Sequence, residues 1–96
     1  MFILIAYDVS TTDRAGQRRL RRVARACKDY GVRVQKSLFE CQLGKTEWAA
    51  LRNRLLKEFD PKQDSLRFYH LDEDDRNKAE HHGVGEPVDL NEPLVL

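Results

Sequence analysis

The strongest constraint on the fold is an unbroken apolar segment at residues 2–7 (Phe-Ile-Leu-Ile-Ala-Tyr), which ends at Asp8. Its residues do not alternate with polar ones, and most are β-branched or aromatic, as in strands buried on both faces. The segment is far shorter than the roughly 20 apolar residues of a membrane span. No basic segment precedes it, so a signal peptide is not expected either. We therefore predict a central β-strand with a carboxylate at its end.

The residues after this strand carry the pattern of an amphipathic helix. Residues 10–13 (Ser-Thr-Thr-Asp) all favour helix N-termini, and Ser10 and Asp13 stand at capping-box spacing. An apolar stripe then recurs at helical spacing in Leu20, Val23, Ala24, Cys27 and Tyr30. Gly31 suits the C-terminal end of this predicted helix.

The next segment changes the phase of its apolar alternation. Apolar residues occupy even positions and then odd ones, in Val32, Val34, Phe39, Cys41 and Leu43. A β-strand cannot change phase without a break, so we predict a tight turn or bulge between Gln35 and Leu38. This break would join two short antiparallel strands, the second ending at Gly44.

The remaining elements complete a common α+β arrangement. Thr46 is the predicted cap of a second helix, whose core face would carry Trp48, Leu51, Leu55 and Phe59. Asp60-Pro61 ends that helix, and residues 65–71 are predicted as a fourth strand. The order β-α-β-β-α-β predicts the ferredoxin-like, or split βαβ, fold.

The length of 96 residues allows one domain. We predict a ferredoxin-like core over residues 1–75 and an acidic tail over residues 76–96. Within that tail, only residues 88–90 and 94–96 are apolar enough to add a short strand, which would lie at a dimer interface. His81 and His82 are interpreted as surface residues of the tail, because zinc-ligand partners at useful spacing are missing.

The two cysteines, Cys27 and Cys41, are interpreted as core thiols. They lie on apolar faces of predicted elements and are far from Cys-x-x-Cys spacing. Two reduced thiols fit a cytoplasmic protein.

Charge is distributed unevenly along the chain. Residues 1–36 contain nine Lys or Arg and three Asp or Glu. Residues 72–96 contain two Lys or Arg and eight Asp or Glu. On the predicted first helix, the arginines opposite the apolar stripe are Arg14, Arg18, Arg21, Arg22 and Arg25, and Arg19 and Arg33 add to the local charge. Arginine matches phosphate geometry, so we predict nucleic-acid contacts for Arg14, Arg18, Arg19 and Arg22. The alternative is a solvated helix face.

Asp8 is the candidate catalytic and metal-binding residue. It precedes three hydroxyl residues and a helix N-terminus, where backbone N–H groups favour phosphate. A carboxylate beside a phosphate is repulsive unless a cation such as Mg²⁺ lies between them. One Asp makes a poor site, but a two-fold homodimer would bring two copies together. The alternative is that Asp8 only caps the helix.

Three segments of residues 1–40 are more specific together than separately. A strand ending Tyr7-Asp8-Val9 precedes Arg19-Leu20-Arg21-Arg22-Val23, and residues 30–40 read Tyr-Gly-Val-Arg-Val-Gln-Lys-Ser-Leu-Phe-Glu. In this order they resemble the small CRISPR-associated endoribonuclease family, the small partner in the spacer-acquisition complex.

The resemblance implies a ferredoxin-like protomer in a symmetric homodimer. It implies that the two copies of Asp8 face each other and can hold Mg²⁺ or another divalent metal such as Mn²⁺. It places Tyr7, Ser10, Arg33 and Phe39 near the active-site cleft and passes the final short strand to the partner's sheet. Members of the family are described as cleaving single-stranded RNA or double-stranded DNA, and some as scaffolds that bridge integrase dimers.

Two main functions stay open. One is a Mg²⁺-dependent endonuclease, acting on RNA or duplex DNA in spacer acquisition with the CRISPR integrase. The other is a non-catalytic dimeric scaffold that binds duplex DNA and bridges integrase subunits. A ferredoxin-like toxin ribonuclease is a further alternative that the sequence does not separate. A small-ligand regulatory module would need a Gly-rich or convergent polar pocket, which the sequence does not suggest.

Overall fold

One antiparallel sheet and two helices make up the structure, a computed structural model that describes residues 1–71 and 79–85. The elements are β1 (Phe2–Asp8), α1 (Arg14–Tyr30), β2 (Val32–Gln35), β3 (Leu38–Gln42), α2 (Lys45–Glu58), β4 (Ser65–His70) and β5 (Ala79–Gly83). The strand order is β2-β3-β1-β4-β5. The predicted α+β, ferredoxin-like arrangement is confirmed. Neither helix of the described residues is long and apolar enough to cross a membrane.

β1 lies at the centre of the sheet, as its unbroken apolar sequence predicts. It pairs with β3 on one side and with β4 on the other. Ile3 and Ile5 enter the core that the sheet shares with α1 and α2. Leu4 points to the opposite face of the sheet and is also fully buried. Alternation along β1 therefore places Asp8 on the sheet face opposite the helices.

The two helices begin at different kinds of cap. Asp13 is the N-cap of α1, and its carboxylate accepts a hydrogen bond from the Gly16 N–H at 2.8 Å. α2 begins at Lys45 with Gly44 at the N-cap position, and Glu47 accepts a hydrogen bond from the Gly44 N–H at 3.1 Å. The prediction of Thr46 as the cap was therefore wrong. The Glu47 carboxylate reaches the backbone ahead of the helix, so no hydroxyl cap is required.

The predicted break between β2 and β3 is present. A two-residue turn at Lys36 and Ser37 joins the strands, and their register shifts between Arg33 and Gln35. β2 is an edge strand, and its apolar residues Val32 and Val34 are exposed. The phase change in the sequence therefore reflects both a turn and a bulge.

β5 is a strand that the sequence analysis missed. It pairs with β4, so His81 and His82 belong to the sheet and are half-buried, not surface residues of a tail. The Glu80 carboxylate accepts a hydrogen bond from Arg52 at 2.9 Å and lies 3.1 Å from His82 Nε2. Burial acts to raise the pKa of Glu80, but these two contacts outweigh it and hold that pKa below its usual value.

The sequence of β5, Ala-Glu-His-His-Gly, has no apolar alternation. Polar contacts with α2 and the ring contact of His82 with Phe68, at 5.7 Å between centroids, stabilise it instead. Residues 88–90 and 94–96, predicted to add a strand, lie outside the described residues.

Both cysteines are core residues with reduced thiols. Cys27 and Cys41 are fully buried and unpaired. Burial raises the pKa of Cys27 to about 12 and that of Cys41 to about 11. Only the thiolate is a nucleophile, so neither group is suited to catalysis at neutral pH.

We predict that neither thiol of the folded protein reacts with Ellman's reagent at the rate of a free cysteine at pH 8. The high pKa of both thiols lowers the thiolate fraction, so we expect rates more than about 100-fold lower. Stopped-flow absorbance would measure the rates, and protein in guanidinium chloride, where both thiols should react, is the control. Fast stoichiometric labelling of the native protein would contradict this prediction.

Candidate active site at the end of β1

Asp8 lies exposed at the last position of β1, directly opposite Ser65 of β4. A cavity of about 420 Å³ opens there. Its polar lining residues are Asp8, Gln35, Ser37, Ser65 and Arg67, and the backbone of Gly85 closes one side. The cavity therefore combines one carboxylate with hydroxyl groups, an amide and a guanidinium group.

Asp8 does not cap α1, so that alternative interpretation was wrong. The cap is Asp13, which lies five residues further along and holds the Gly16 N–H. The residues that line the Asp8 cavity come from the sheet and its loops and not from α1, so a phosphate there would need donors from the sheet.

The loop after Asp8 is fixed by a buried carboxylate. Asp64 is fully buried, and its two oxygens accept hydrogen bonds from three segments of the chain. Ser10 N–H donates at 3.0 Å, Asp60 N–H at 2.8 Å, and Arg19 Nε at 2.9 Å. A buried charge is tolerated when it is paired and hydrogen-bonded in this way. Asp64 therefore ties the end of β1 to α1 and to the loop before β4.

Gly16 holds the same loop from the other side. A Cβ atom at this position would overlap the carbonyl oxygen of Ser10. Only glycine lets the first turn of α1 approach the loop so closely. Ser10 itself makes a long contact, 3.4 Å, between its hydroxyl and that of Thr12.

Tyr7, Arg33 and Phe39 contact one another on the helix side of the sheet, opposite the face that carries Asp8. The rings of Tyr7 and Phe39 are stacked with centroids 6.1 Å apart, and the Arg33 guanidinium carbon lies 5.1 Å from the Phe39 centroid. Phe39 is fully buried and part of the core. Burial raises the pKa of Tyr7, and a hydrogen bond with Arg33 only partly offsets this. Tyr7 is therefore a protonated hydrogen-bond donor at neutral pH, not a base.

The arginines of α1 divide into two groups. Arg18 and Arg22 line a surface cavity of about 660 Å³ together with Arg21, Arg25 and Lys28, and Arg14 is exposed nearby in sequence. Arg22 lies 3.9 Å from Glu58, a distant and exposed ion pair that contributes little. Arg19 differs, because its guanidinium group is paired with Asp64 and only 15% of its side chain is exposed. The structure thus brings Arg18 and Arg22 together and directs Arg19 to a buried carboxylate.

Asp8 is the one carboxylate among the described residues that line the cavity. Residues 1–71 and 79–85 contain no group of three or more His, Cys, Asp or Glu that could hold a metal ion. Mg²⁺, however, commonly binds through one or two carboxylates and keeps its other positions for water and substrate phosphates. One exposed Asp8 supplies one such carboxylate, and a second copy of the chain would supply another.

Two residues of this region escaped the sequence analysis. Arg67 stands two positions after Ser65, so strand alternation places it on the sheet face of Asp8. That signal becomes readable only once the pairing of β1 with β4 is known. The residues next to Asp64 in the sequence do not indicate its role, because its hydrogen-bond partners come from three separate segments.

The fold and the site define a ferredoxin-like α+β protein whose central strand ends in an exposed aspartate beside a basic first helix. The model of the family described as CRISPR associated protein Cas2 matches residues 1–79. This chain belongs to the CRISPR-associated Cas2 family.

Its relatives match most or all of the chain. The CRISPR-associated endoribonuclease Cas2 of Nitratidesulfovibrio vulgaris is 54% identical over 96 residues, which are 100% of this chain and 94% of that protein. The CRISPR-associated endonuclease Cas2 of Halalkalibacterium halodurans is 44% identical over 96 residues, 100% of both chains. The crystal structure of Streptococcus pyogenes Cas2 at pH 6.5 matches with a TM-score of 0.69 and 49% identity, over 74% of this chain and 86% of that one.

We predict that Asp64→Ala lowers the free energy of unfolding by about 3 kcal/mol, because it leaves buried N–H donors and Arg19 without their acceptor. Denaturant titration would measure the loss. The matched control is Asp29→Ala, which removes a half-exposed carboxylate paired with Arg54 and should cost about 1 kcal/mol or less. Equal losses for the two variants would contradict the role assigned to Asp64.

The same contact separates Arg19 from its neighbour. Arg19→Ala should lower the melting temperature, whereas Arg18→Ala, on the exposed face of α1, should not. If the melting temperatures of both variants equalled that of the wild type, the ion pair between Arg19 and Asp64 would not stabilise the fold.

Proposed function

We propose that this protein is a divalent-metal-dependent nuclease of CRISPR spacer acquisition, with Asp8 as its catalytic residue. The observation that carries the proposal is the exposed Asp8 carboxylate, held by a rigid central strand in a cavity that also contains a guanidinium group. The names of the relatives support the same activity, since they describe an endoribonuclease and an endonuclease.

The chemistry assigns distinct tasks to the residues at the cavity. Asp8 would hold Mg²⁺ or Mn²⁺, and the bound cation would polarise a phosphodiester and activate water. Asp64 and Gly16 keep the loop after Asp8 in one position, which limits the reorganisation needed when a substrate binds. Tyr7 points to the helix side of the sheet and has a raised pKa, so it is unsuitable as the general base.

We propose that the active form is a homodimer. A single Asp8 offers one carboxylate, and a two-fold axis close to the cavity would bring in the second. The exposed face of α1 would bind the phosphate backbone through Arg14, Arg18 and Arg22, and the CRISPR integrase would be the protein partner. We propose a cytoplasmic location, where both buried thiols stay reduced.

We predict that Asp8→Asn lowers cleavage by at least about 100-fold, because the amide removes the anionic metal ligand. Labelled single-stranded RNA and duplex DNA would be incubated with each protein in Mg²⁺, in Mn²⁺ and in EDTA. Light scattering would confirm that wild type and variant have the same oligomeric state.

Glu47→Gln is the matched control, since it removes an exposed carboxylate at the start of α2 while its amide oxygen can still accept from the Gly44 N–H. It should cleave like the wild type. If Asp8→Asn and wild type cleave equally, Asp8 is not the catalytic residue. If a folded wild-type dimer cleaves neither substrate, the nuclease proposal fails.

A non-catalytic scaffold for duplex DNA is the second candidate function. The observation that favours it is the cationic cavity on α1, whose charged lining residues are Arg18, Arg21, Arg22, Arg25, Lys28 and one carboxylate, Asp29. Such a surface can bind a phosphate backbone without any chemistry at Asp8. Asp8→Asn would then leave spacer acquisition unchanged.

We predict that the triple variant with Arg14, Arg18 and Arg22 changed to Gln binds duplex DNA with a weaker salt dependence. Each lost phosphate contact should reduce the slope of log K against log salt by about 0.9. The control changes Lys45, Lys57 and Lys62 to Gln, which removes the same charge from α2 and the loop after it. Equal slopes for the two triple variants would show that α1 has no special role.

A further inference from the structure

The Asp8 cavity differs in its chemistry from the cationic cavity on α1. Among the described residues that line it, one carboxylate, Asp8, stands against one guanidinium group, and the remaining polar side chains, Gln35, Ser37 and Ser65, are neutral. The cavity on α1 is lined instead by four arginines, one lysine and one aspartate. The Asp8 cavity therefore has no excess of positive charge that would attract a phosphate backbone. Its lining is dominated by neutral groups that form hydrogen bonds.

Ser65 lies directly across from Asp8. The two residues are partners in the pairing of β1 with β4, so their side chains project from the same face of the sheet. The Cβ atoms of such direct partners are about 4.5 to 5.5 Å apart. Gly83 is the partner of Ser65 on β5 and contributes no side chain to this row. The Ser65 hydroxyl is therefore the polar group next to Asp8 on the β4 side of the cavity.

Ser37 supplies a second hydroxyl, on the other side of β1. It lies in the turn between β2 and β3, and its carbonyl oxygen accepts a hydrogen bond from the Tyr7 N–H at 3.1 Å. This contact holds the turn against the end of β1. Because Ser37 and Ser65 line the same cavity as Asp8, hydroxyl groups from two separate segments flank one carboxylate.

These three side chains are not used to hold the fold together. Within residues 1–71 and 79–85, no side-chain hydrogen bond involves Asp8, Ser37 or Ser65. The carboxylates of Asp13 and Asp64, in contrast, both accept hydrogen bonds from backbone N–H groups. The donors and acceptors beside Asp8 are therefore available to a ligand.

A ribose 2′-hydroxyl matches this set of groups. It is both a donor and an acceptor, so it can donate to a carboxylate while it accepts from a serine O–H. A phosphate oxygen only accepts, and the Asp8 carboxylate repels it unless a cation lies between them. The 2′-hydroxyl is uncharged and is not repelled. It also lies on the carbon next to the 3′-oxygen, and therefore close to the phosphodiester that a cation at Asp8 would bind.

From this geometry we propose that Ser37 and Ser65 are specificity-determining residues, which bind the 2′-hydroxyl of an RNA strand and so distinguish RNA from DNA. With DNA in the cavity, the two hydroxyls lose water without gaining a partner, which lowers the affinity. Family membership leaves the sugar open, because the names of relatives include both an endoribonuclease and an endonuclease. The inference deepens the proposed function and rests on it, since it takes the Asp8 cavity as the place where nucleic acid binds.

The first test measures binding in EDTA, where metal-dependent cleavage does not occur. Labelled single-stranded RNA and DNA of one sequence are titrated and followed by fluorescence anisotropy, and the ratio of the two dissociation constants is compared between proteins. The wild type should prefer RNA. Ser65→Ala and Ser37→Ala should each lower this preference by about 3- to 10-fold, the value of one neutral hydrogen bond, while DNA binding stays unchanged.

Three controls separate recognition of the sugar from an effect on folding. Ser65→Thr keeps the hydroxyl on a side chain that suits a strand, so it should retain the preference for RNA. Thr46→Ala removes an exposed hydroxyl from α2, on the other side of the sheet, and should match the wild type. RNA with 2′-O-methyl groups cannot donate and should bind the wild type no more tightly than DNA does. Melting temperatures would show that the variants are folded, and Ser37 lies in an exposed turn where substitution is tolerated best.

The proposal is overturned by any of three results. The wild type could bind RNA and DNA equally. Ser37→Ala and Ser65→Ala could both keep the wild-type preference. The two variants could also weaken the binding of RNA and DNA by the same factor, which would assign the hydroxyls to a group that both nucleic acids share.

Cleavage in Mg²⁺ then distinguishes this inference from the proposed function. If the wild type cleaves RNA, Ser65→Ala should lower kcat/KM for RNA relative to DNA by the same factor as in binding. If the wild type cleaves neither substrate but the RNA preference falls in Ser65→Ala, the nuclease proposal fails and the sugar site stands. If the wild type cleaves and Ser65→Ala keeps the wild-type ratio in binding and cleavage, the sugar site is overturned and the nuclease proposal is unaffected.

Discussion

The buried carboxylate of Asp64 is the interaction on which the geometry of the site depends. It accepts hydrogen bonds from the backbone of Ser10 and Asp60 and from the side chain of Arg19. A carboxylate without these donors would be costly to bury, and the donors without it would be unsatisfied. The loop after β1, the start of α1 and the loop before β4 therefore have to meet at one point. The position of Asp8 follows, because it stands two residues before one of the three donors.

The main elements of the fold could be predicted from the sequence because the apolar residues of each element follow a recognisable spacing. The run that becomes β1, the helical spacing of Trp48, Leu51 and Leu55, and the phase change before Leu38 are all local signals. β5 has no such signal. It is polar on both faces, and it becomes a strand because β4 provides an edge and Arg52 of α2 neutralises Glu80. A strand that depends on an ion pair with a residue 28 positions earlier cannot be recognised from its own residues.

The site could be predicted only in part, for a related reason. The end of a buried strand identifies Asp8, and helical spacing identifies the basic face of α1. Spacing does not show which arginine has a carboxylate opposite it, so the sequence predicts nucleic-acid contacts for Arg18 and Arg19 alike. The structure separates them, because Asp64 lies 45 residues further along the chain and takes Arg19 alone. Arg67 was missed because its position relative to Asp8 depends on the register between β1 and β4, which cannot be predicted from the sequence alone.

The two candidate functions use different sides of the molecule. Ile3, Ile5 and Tyr7 point toward the helices, so Asp8 and Arg67 lie on the opposite face of the sheet from α1. The cationic cavity is formed by the surface of α1. A strand could therefore be held by α1 while a phosphate is bound at Asp8, and neither activity needs the residues of the other. Asp64 connects the two sides, since it binds Arg19 of α1 and the loop after Asp8 at once. Because both contacts are made to one buried carboxylate, they constrain the distance between the two surfaces within the chain.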